Sequence, residues 1–352
     1  MSTANPAAAG LAIFGISESA CEIRPASDGY INDTFIVSID REPKYVLQRL
    51  STAVFGDGVG LMQNLELVLP FLKAGDYQEL ELIPTSKGRN WEPDTQGQAW
   101  RMYRFIKDSH TLPTATTAEV AYEAGRIIGR FHQLVAPLDP ADLFITLPRF
   151  HDLNWRAEQL ETAIGSGISD RISLAEPWIA LSRTLIKTCL AISWADLPVR
   201  VCHNDTKLSN ILFSSKADEA LCLIDLDTLM PGYFLYDVGD AVRTLTNPLP
   251  EDYQNWEHIS IQADLFRPFV GGIKASGLQL SQSEIETLYI GPILLPLLHG
   301  IRALADFLMG DVYYKIAYHD QNLVRARSLL QVAKLTADRK EELQKICKEV
   351  LG

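Results

Sequence analysis

The sequence has few cysteines, and their spacing fits neither a disulfide framework nor a metal site. Five cysteines occur in 352 residues, an odd number without any Cys-x-x-Cys pair. This usage argues against a structural zinc site and against a small secreted fold held by disulfides. The N-terminal stretch of small residues lacks the basic flank of a signal peptide. We therefore expect a cytoplasmic protein with reduced thiols.

Long apolar runs and an excess of positive charge are also missing. The most apolar run, over residues 290–301, is shorter than the roughly 20 residues that a membrane-spanning helix needs, and it contains two prolines. The formal net charge is −12, whereas nucleic acids and anionic membranes bind basic faces. We expect neither a nucleic acid nor a membrane as a partner.

The length and the hydrophobic content predict two lobes with a cleft between them. With 352 residues, 47% of them hydrophobic, the chain exceeds the roughly 250–300 residues that one core sustains. In the first hundred residues, β-branched segments predict five strands, and a helical period predicts one helix. The predicted strands cover residues 21–24, 34–39, 44–50, 79–84 and 99–106, and the helix covers residues 58–73.

Helical patterns dominate after residue 107. Thr116 and Glu119 have the spacing of a capping box ahead of a long amphipathic helix. Six more helices are predicted at residues 153–164, 177–192, 281–289, 296–309, 321–335 and 339–350. We therefore predict an α+β protein with two lobes. Residues 1–107 form a small antiparallel-sheet lobe with one helix, and residues 108–352 form a larger, mainly helical lobe.

One short segment carries groups suited to phosphoryl transfer. Residues 203–210 read HNDTKLSN, and Asp225 follows at the end of an apolar strand. A hydroxyl that attacks the terminal phosphate of ATP needs a proton acceptor, for which Asp205 is the candidate. Mg²⁺ prefers oxygen ligands, which Asn210 and Asp225 supply. Lys207 would stabilise the charge that develops on the phosphate.

The same segment, with the motifs IDLD at residues 224–227 and YDVGD at 236–240, resembles the aminoglycoside phosphotransferase and choline kinase superfamily. Within it, the motifs GYINDT at 29–34, LQRL at 47–50 and GDAVR at 239–243 are most similar to N-acetylhexosamine 1-kinases. The resemblance implies a bilobal protein-kinase-like fold, ATP and Mg²⁺ as cofactors, and a small sugar as substrate. It also implies that Asp237 anchors the catalytic loop through backbone amides. His203 is expected to pack under that loop and hydrogen-bond its backbone.

The phosphates of ATP are predicted to bind in the N-terminal lobe. A tight turn at Gly29 with Asn32 and Thr34 would present backbone amides to phosphate oxygens, although a glycine-rich repeat is missing. Where kinases carry a lysine for the phosphates, this chain has Gln48 and Arg49, which alternate to opposite faces of a strand. We expect Arg49 to bind the phosphates, because a guanidinium group offers a bidentate fork.

The adenine and acceptor sites follow from the next strand and from the C-terminal lobe. The backbone near Arg104 and Phe105 should hydrogen-bond the adenine. Arg302 and Asp306 belong to a polar stripe on an apolar helix, which would face solvent as an ion pair or face a cleft. The resemblance favours the cleft. It implies that the sugar contacts Asp205 through the hydroxyl to be phosphorylated, and that Thr228, Arg302, Asp306 and Tyr313 hold the rest of the ring.

Other functions stay open at this point. The hexosamine kinases tend to carry an aromatic residue at the position of Thr244, so the acceptor could instead be an aminoglycoside, choline, homoserine, methylthioribose or a ketosamine. Choline would need an aromatic cage, and the acidic net charge suits a cationic aminoglycoside. The missing glycines and lysine would also suit a nucleotide-binding pseudokinase without activity. Against that, Asp205, Asn210 and Asp225 are all present.

Overall fold

The computed structural model describes residues 7–26, 32–56, 58–115 and 117–352. Within these ranges the strands are β1 (Glu22–Pro25), β2 (Asp33–Ile39), β3 (Glu42–Arg49), β4 (Trp91–Pro93), β5 (Ala99–Arg104), β6 (Ser109–Thr111), β7 (Arg200–Cys202), β8 (Ile211–Ser214), β9 (Ala220–Leu223) and β10 (Met230–Gly232). The α-helices are α1 (Ala8–Ile13), α2 (Thr52–Phe55), α3 (Val59–Val68), α4 (Ala118–Val135), α5 (Leu153–Ser166), α6 (Ser169–Leu190), α7 (Phe234–Thr246), α8 (Phe266–Ala275), α9 (Gln282–Thr287), α10 (Gly291–Leu308), α11 (Gln321–Ala337) and α12 (Lys340–Leu351).

A five-stranded antiparallel sheet organises the N-terminal part, in the order β1-β2-β3-β5-β4. Because side chains alternate between the two faces of a strand, each face has its own partner. One face carries Leu47 and Trp100, which join a small apolar cluster with Leu11 of α1. The other face carries Gln48 and Arg101, which are paired across β3 and β5, and it looks toward α3 and the larger part of the protein.

The predicted order of elements in this lobe is confirmed with three differences. Residues 79–84 form no strand and meet the sheet through one bridge, Leu82 with Tyr103. Strand β4 lies in the polar stretch that we expected to be a turn. The short helices α1 and α2 add to the single predicted helix. The β1–β2 hairpin forms as expected, although part of its turn lies outside the described residues.

The C-terminal part is a mostly helical core around a small catalytic hairpin. The predicted helices appear as α4, α5, α6, α9, α10, α11 and α12 with shifted ends, whereas α7 and α8 were not predicted. Thr116 lies outside the described residues, and the N-cap of α4 is Thr117, whose hydroxyl accepts from the Val120 amide. The apolar stretch Gln282–Leu308 is long enough to cross a membrane, but 78% of its most apolar window is buried inside the protein. It is therefore a core element here.

The segment between the two parts pairs with the catalytic hairpin. Strand β6 runs antiparallel to β8, and β8 runs antiparallel to β9. The amide of Gln78 also donates to the carbonyl of Leu221 in β9 at 2.9 Å. The predicted boundary after residue 107 stays a prediction, and the first strand beyond it is joined to the C-terminal part by these hydrogen bonds.

Helices α7 and α10 approach closely where two glycines meet. A Cβ atom at Gly239 would lie 2.2 Å from the carbonyl oxygen of Gly291. Helix α7 carries Asp237, the predicted anchor of the catalytic loop, and α10 carries Arg302 and Asp306, so this contact sets the spacing between the loop anchor and two predicted acceptor residues. Glycine is required here because any side chain would overlap backbone atoms, which cannot rotate away.

We predict that Gly239→Ala destabilises the fold by separating α7 from α10. Overpacking of a tight contact costs about 1–3 kcal/mol. Urea unfolding followed by circular dichroism measures the difference. The control is Gly165→Ala in α5, where nothing lies within 4 Å of the new Cβ. That variant should be up to about 1 kcal/mol more stable than wild type, because alanine favours helix. Equal stabilities of the two variants would contradict the close packing.

Candidate active site

The loop with the predicted catalytic residues is held by one buried carboxylate. It follows β7 and continues through the 3₁₀ turn Leu208–Asn210 into β8. The two oxygens of Asp237 accept the backbone amides of His203 at 2.8 Å and Asn204 at 2.7 Å. The Nε2 atom of His132 lies 2.8 Å from Asp237 Oδ2. Asp237 is fully buried. The predicted anchoring of the loop through backbone amides is confirmed.

Electrostatics explains why Asp237 stays ionised there. Burial alone would raise the pKa of Asp237. The hydrogen bond and charge of His132, with the hydrogen bond from the His203 amide, outweigh burial and lower the pKa instead. A carboxylate that accepts several N–H groups has a reduced pKa for this reason. The charged acceptor therefore persists at neutral pH and fixes the loop.

The ring of His203 ties the loop to the strand that precedes Asp225. Its Nδ1 accepts the Asp205 amide at 3.2 Å, and its Nε2 lies 2.9 Å from the carbonyl oxygen of Ile224. A neutral imidazole with its proton on Nε2 satisfies both contacts. The expected structural role of His203 is thus confirmed, and the ring sets the distance between Asp205 and the segment of Asp225.

Asp205 is half-buried and linked to both other groups of its loop. Its Oδ2 accepts from Lys207 Nζ at 2.9 Å and from Asn210 Nδ2 at 3.0 Å. Burial would lower the pKa of Lys207, but the charge and hydrogen bond of Asp205 outweigh it and raise that pKa. Lys207 is therefore a charged ammonium group in contact with the Asp205 carboxylate. This pair brings an acceptor for a proton next to a positive charge that can bind phosphate.

Asp225 adds a second carboxylate on the opposite side of the loop. It follows β9 with a left-handed backbone, φ 61°, and the amide of Ile224 donates to the carbonyl of Asn210 at 2.9 Å. The side chain of Asp225 is exposed to solvent, although many protein atoms surround its carboxylate. Burial, followed by repulsion from Asp227 and Asp205, raises the pKa of Asp225 to about 6. A cation would relieve this repulsion, and the oxygen donors of Asp225 and Asn210 fit Mg²⁺.

Asp227 forms a buried ion pair with Arg101, a residue that sequence reasoning missed. The guanidinium Nη2 of Arg101 contacts Asp227 Oδ1, and both side chains are almost fully buried. The Nε of Arg101 donates to Gln48 Oε1 at 2.9 Å. Asn32 donates its side-chain amide to Asp227 Oδ2. Asp227 therefore joins the cleft face of the sheet to the segment after Asp225.

The prediction that Arg49 faces the phosphates is wrong. Its side chain pairs with Asp33 and lies over Trp100, at 5.9 Å from the ring centroid. Trp100 belongs to the face covered by α1, whereas Gln48 and Arg101 occupy the cleft face. Strand alternation is the physical reason, because Arg49 and Gln48 are neighbours. The guanidinium group on the cleft side comes from β5.

Three of the other predicted nucleotide residues, Thr34, Arg104 and Phe105, have partners inside the protein. Gly29 lies outside the described residues. Thr34 Oγ1 accepts from Gln48 Nε2 at 3.1 Å, on the cleft face. The amides of Arg104 and Phe105 donate to the carbonyls of Glu81 and Lys44, both at 2.9 Å. These amides are therefore unavailable to adenine, and the predicted adenine contacts of these two residues rest on their carbonyls alone.

Two of the predicted acceptor residues support the structure around the site. Thr228 is buried, and its hydroxyl donates to the carbonyl of His203 at 2.6 Å. Asp306 is buried too; it accepts the amides of Val312, Tyr313 and Tyr314 and the side-chain amide of Asn322. These four bonds explain the carboxylate without a sugar. Thr228 and Asp306 therefore have structural roles, and the predicted substrate contacts of these two residues stay predictions.

Arg302 and Tyr313 are open to a ligand. The guanidinium carbon of Arg302 lies 5.7 Å from the ring centroid of Phe150 and 6.0 Å from that of Tyr314. No carboxylate of the described residues pairs with Arg302, so the alternative of an ion pair with Asp306 is excluded. The side chain of Tyr313 is 73% exposed. Helix α10 thus presents Arg302 beside two aromatic rings.

A sequence model of the phosphotransferase enzyme family (APH) matches residues 22–260, which include the whole catalytic loop and the sheet. The chain belongs to this family. Among curated proteins, ethanolamine kinase 1 of Mus musculus is 27% identical over 96 residues, and that of Homo sapiens is 26% identical over 96 residues. The match spans 26% of this chain and 26% of the mouse protein, or 21% of the human one.

Solved structures confirm the predicted fold. A microcompartment-associated aminopropanol kinase has a TM-score of 0.66 at 16% identity, covering 95% of this chain and 97% of that chain. A choline kinase from Cryptosporidium parvum has a TM-score of 0.56 at 15% identity, covering 96% and 95%. The predicted superfamily and the α+β kinase-like fold are confirmed. The narrower likeness to N-acetylhexosamine 1-kinases stays a prediction.

The protein also has a buried ion network behind Asp205 that sequence reasoning missed. Arg243 Nε donates to Asp240 Oδ1 at 2.6 Å, and its Nη1 donates to Glu251 Oε1 at 2.7 Å. Arg325 Nε donates to the second oxygen of Glu251 at 2.9 Å. Within the described residues, Asp240 Oδ2 is buried without a hydrogen-bond partner. Only the i, i+3 spacing of Asp240 and Arg243 was a signal in the sequence.

We predict that Arg101→Met destabilises the protein, whereas Arg49→Met does not. Removing Arg101 leaves Asp227 buried without its charge partner, which costs about 3–5 kcal/mol. The Arg49–Asp33 pair is exposed, and such pairs contribute about 0–1 kcal/mol. Chemical unfolding of both variants measures the two costs. Equal losses of unfolding free energy in the two variants would show that the Arg101–Asp227 ion pair stabilises the protein no more than the exposed Arg49–Asp33 pair does.

Proposed function

We propose that this protein is a kinase that transfers the terminal phosphate of ATP to a hydroxyl group of a small molecule. The observation that carries the proposal is the arrangement around Asp205. The carboxylate of Asp205, a charged lysine and an amide share one loop, and Asp225 follows the neighbouring strand with a raised pKa. Membership in the phosphotransferase family supports the same reaction.

The residues suggest how the reaction proceeds. The acceptor hydroxyl would donate a hydrogen bond to Asp205, which takes its proton as the hydroxyl oxygen bonds to the terminal phosphorus. The bond from that phosphorus to the bridging oxygen breaks, and ADP leaves. Lys207 would stabilise the negative charge on the transferred group. Asn210 holds Asp205 in place, and closure of the cleft would exclude water as a competing acceptor.

A divalent metal fits the oxygens of Asn210 and Asp225. The side-chain nitrogen of Asn210 is used on Asp205, which leaves its oxygen for a cation. Mg²⁺ would neutralise phosphate charge when bound there. Arg101 would act indirectly, because its ion pair holds Asp227 and thereby the turn after Asp225. The boundary between the two lobes near residue 107 would be the hinge of cleft closure.

For the acceptor we propose a sugar, phosphorylated on its anomeric hydroxyl as in N-acetylhexosamine 1-kinases. Arg302 with the rings of Phe150 and Tyr314 supports a ring-shaped molecule that stacks and accepts hydrogen bonds. Tyr313 is exposed beside them and would extend this surface. The imidazole of His151, hydrogen-bonded to the Asn204 carbonyl at 3.1 Å, lies between Arg302 and the catalytic loop.

An amino alcohol is the second candidate. The likeness to ethanolamine kinase 1 over 96 residues and the fold of the aminopropanol kinase favour it. The unpartnered oxygen of Asp240 would suit an ammonium group. Arg302 disfavours it, because an unpaired guanidinium group beside the acceptor repels a cation.

We predict that Asp205→Asn lowers acceptor-dependent turnover by at least about a hundredfold, since a positioned base contributes roughly 10²–10⁴-fold. Binding of Mg²⁺–ADP should remain within a few-fold of wild type. Turnover is measured as ADP release with N-acetylglucosamine, N-acetylgalactosamine, their non-acetylated counterparts, ethanolamine, choline and an aminoglycoside. Phosphorus NMR of the product identifies the phosphorylated group.

The matched control is Asp218→Asn, on the exposed turn between β8 and β9, which should behave like wild type. Asp205→Asn with near-normal turnover would remove Asp205 from the mechanism. If no acceptor stimulates ADP release above the hydrolysis by water, the kinase proposal fails. Phosphorylation of ethanolamine or choline in preference to every sugar would show that the acceptor is an amino alcohol and not a sugar.

A further inference from the structure

Three arginines lie against aromatic rings at one side of the predicted acceptor site. We call them the arginine–aromatic cluster, which consists of Arg149, Arg156, Arg302, Phe150, Trp155 and Tyr314. The guanidinium carbons of Arg149 and Arg156 lie 5.8 and 4.4 Å from the ring centroid of the same tryptophan, Trp155. Arg302 lies over Phe150 and Tyr314, as described above. The cluster therefore concentrates positive charge in a protein whose net charge is −12.

No carboxylate of the described residues forms an ion pair with any of these three arginines. Six other arginines that are at least partly buried have a carboxylate partner, whereas Arg327 is a further partly buried arginine without one among the described residues. Those six are Arg101, Arg126, Arg171, Arg200, Arg243 and Arg325. The protein has a surplus of acidic side chains, yet none of those described pairs with the three arginines of the cluster. We therefore look for their counter-ion in a bound ligand.

Arg156 shows the cost of this arrangement. Its Nη1 donates to Gln159, and its Nη2 contacts the Phe150 carbonyl at 3.4 Å. Its Nε is buried without a partner among the described residues. Burial, followed by repulsion from Arg302, lowers the pKa of Arg156 to about 10. A buried donor without an acceptor and a like charge nearby both destabilise the unliganded protein.

The cluster is connected to the catalytic loop through one histidine. His151 follows Phe150 directly and is hydrogen-bonded to the carbonyl of Asn204, the neighbour of Asp205. Burial lowers the pKa of His151 to about 4; the charge of Arg302 contributes to this, while that of Asp205 opposes it. His151 is therefore neutral and close to both charges. A molecule of modest size can lie with one end at Asp205 and the other at Arg302.

We propose that the acceptor carries an anionic group, a carboxylate, sulfate or phosphate, which Arg156 and Arg302 bind while its hydroxyl lies at Asp205. This inference rests on the proposed function and specifies its substrate class. Guanidinium groups bind such oxyanions through paired, charge-assisted hydrogen bonds. An oxyanion would supply the counter-ion that both arginines lack, and a hydrogen-bond acceptor for Arg156 Nε.

The test compares sugars that share a free anomeric hydroxyl and differ in charge. N-acetylglucosamine is compared with its 6-phosphate and its 6-sulfate, and glucose with glucuronic acid. We expect kcat/KM for at least one anionic sugar to exceed that of its neutral counterpart by about tenfold or more, because hydrogen bonds between charged groups are the stronger ones. The three anions show whether phosphate, sulfate or carboxylate is preferred.

Two variants separate binding from a structural role. Arg302→Met and Arg156→Met should each lower the ratio of kcat/KM for the anionic sugar to kcat/KM for the neutral sugar by about tenfold or more. Arg156→Met should also raise the Tm, because it removes a partly buried charge that has no counter-ion. Residues at functional sites are often less favourable for stability than their replacements. An arginine with a merely structural role would lower the Tm when replaced. The control is Arg183→Met, a surface arginine paired with Glu161.

The outcomes separate this inference from the proposed function. Phosphorylation of neutral sugars as fast as, or faster than, their anionic counterparts overturns the inference and leaves the kinase intact. If no sugar is phosphorylated, the proposed sugar kinase fails, and calorimetry with Mg²⁺–ADP and each anionic sugar decides the inference alone. Binding to wild type that is lost in Arg302→Met supports it. Absence of binding, or equal binding to Arg302→Met, overturns it.

Discussion

The hydrogen bonds of the Asp237 carboxylate are the interaction on which the rest of the site depends. Two consecutive backbone amides of the catalytic loop end on its oxygens, and His132 donates from the other side. Because these donors belong to the loop after β7 and to α4, while Asp237 belongs to α7, the carboxylate joins three parts of the fold that are distant in sequence. The position of Asp205 is a consequence of this junction. Helix α7, which carries Asp237, is in turn fixed by its glycine contact with α10.

Some charged side chains of the cleft form ion pairs, whereas others have no partner of opposite charge among the described residues. Asp205 has Lys207, Asp227 has Arg101, and Asp240 has Arg243. Asp225 has no such partner among the described residues, and its pKa is raised by burial and by its acidic neighbours. The arginine–aromatic cluster has the opposite imbalance. A bound metal ion would neutralise Asp225, and an anionic substrate would neutralise the arginines of the cluster. Each of these unpaired charges lies where the metal or the substrate is proposed to bind.

The sequence predicted the catalytic loop well because its residues are adjacent in the chain. His203 belongs to the loop motif itself, and Asp237 belongs to the motif YDVGD, whose resemblance to the superfamily implied that it anchors the loop. Long helices such as α4 and α11 followed from their apolar period. Strand β4 was missed because it is short and lies in a polar stretch, where pairing with β5 outweighs intrinsic preference.

The sequence-based predictions failed for residues whose position depends on tertiary structure, such as which face of the sheet borders the cleft. Arg49 and Gln48 alternate correctly, but the sequence does not say which face looks into the cleft. That face is decided by α1, which covers the side of Leu47 and Trp100. Arg101 was overlooked because its partner Asp227 lies 126 residues away. The unpaired state of Arg156 and Arg302 also depends on tertiary contacts and has no local signature.

Amide hydrogen exchange at His203 and Asn204 tests most directly whether Asp237 holds the catalytic loop. In wild type both amides should exchange only with the slow opening of the core. In Asp237→Asn they should exchange at least about tenfold faster, because a hydrogen bond to a charged group contributes about 1.5–3 kcal/mol, while peptides from α11 stay protected. Unchanged protection of the two amides in a folded Asp237→Asn protein would contradict the account.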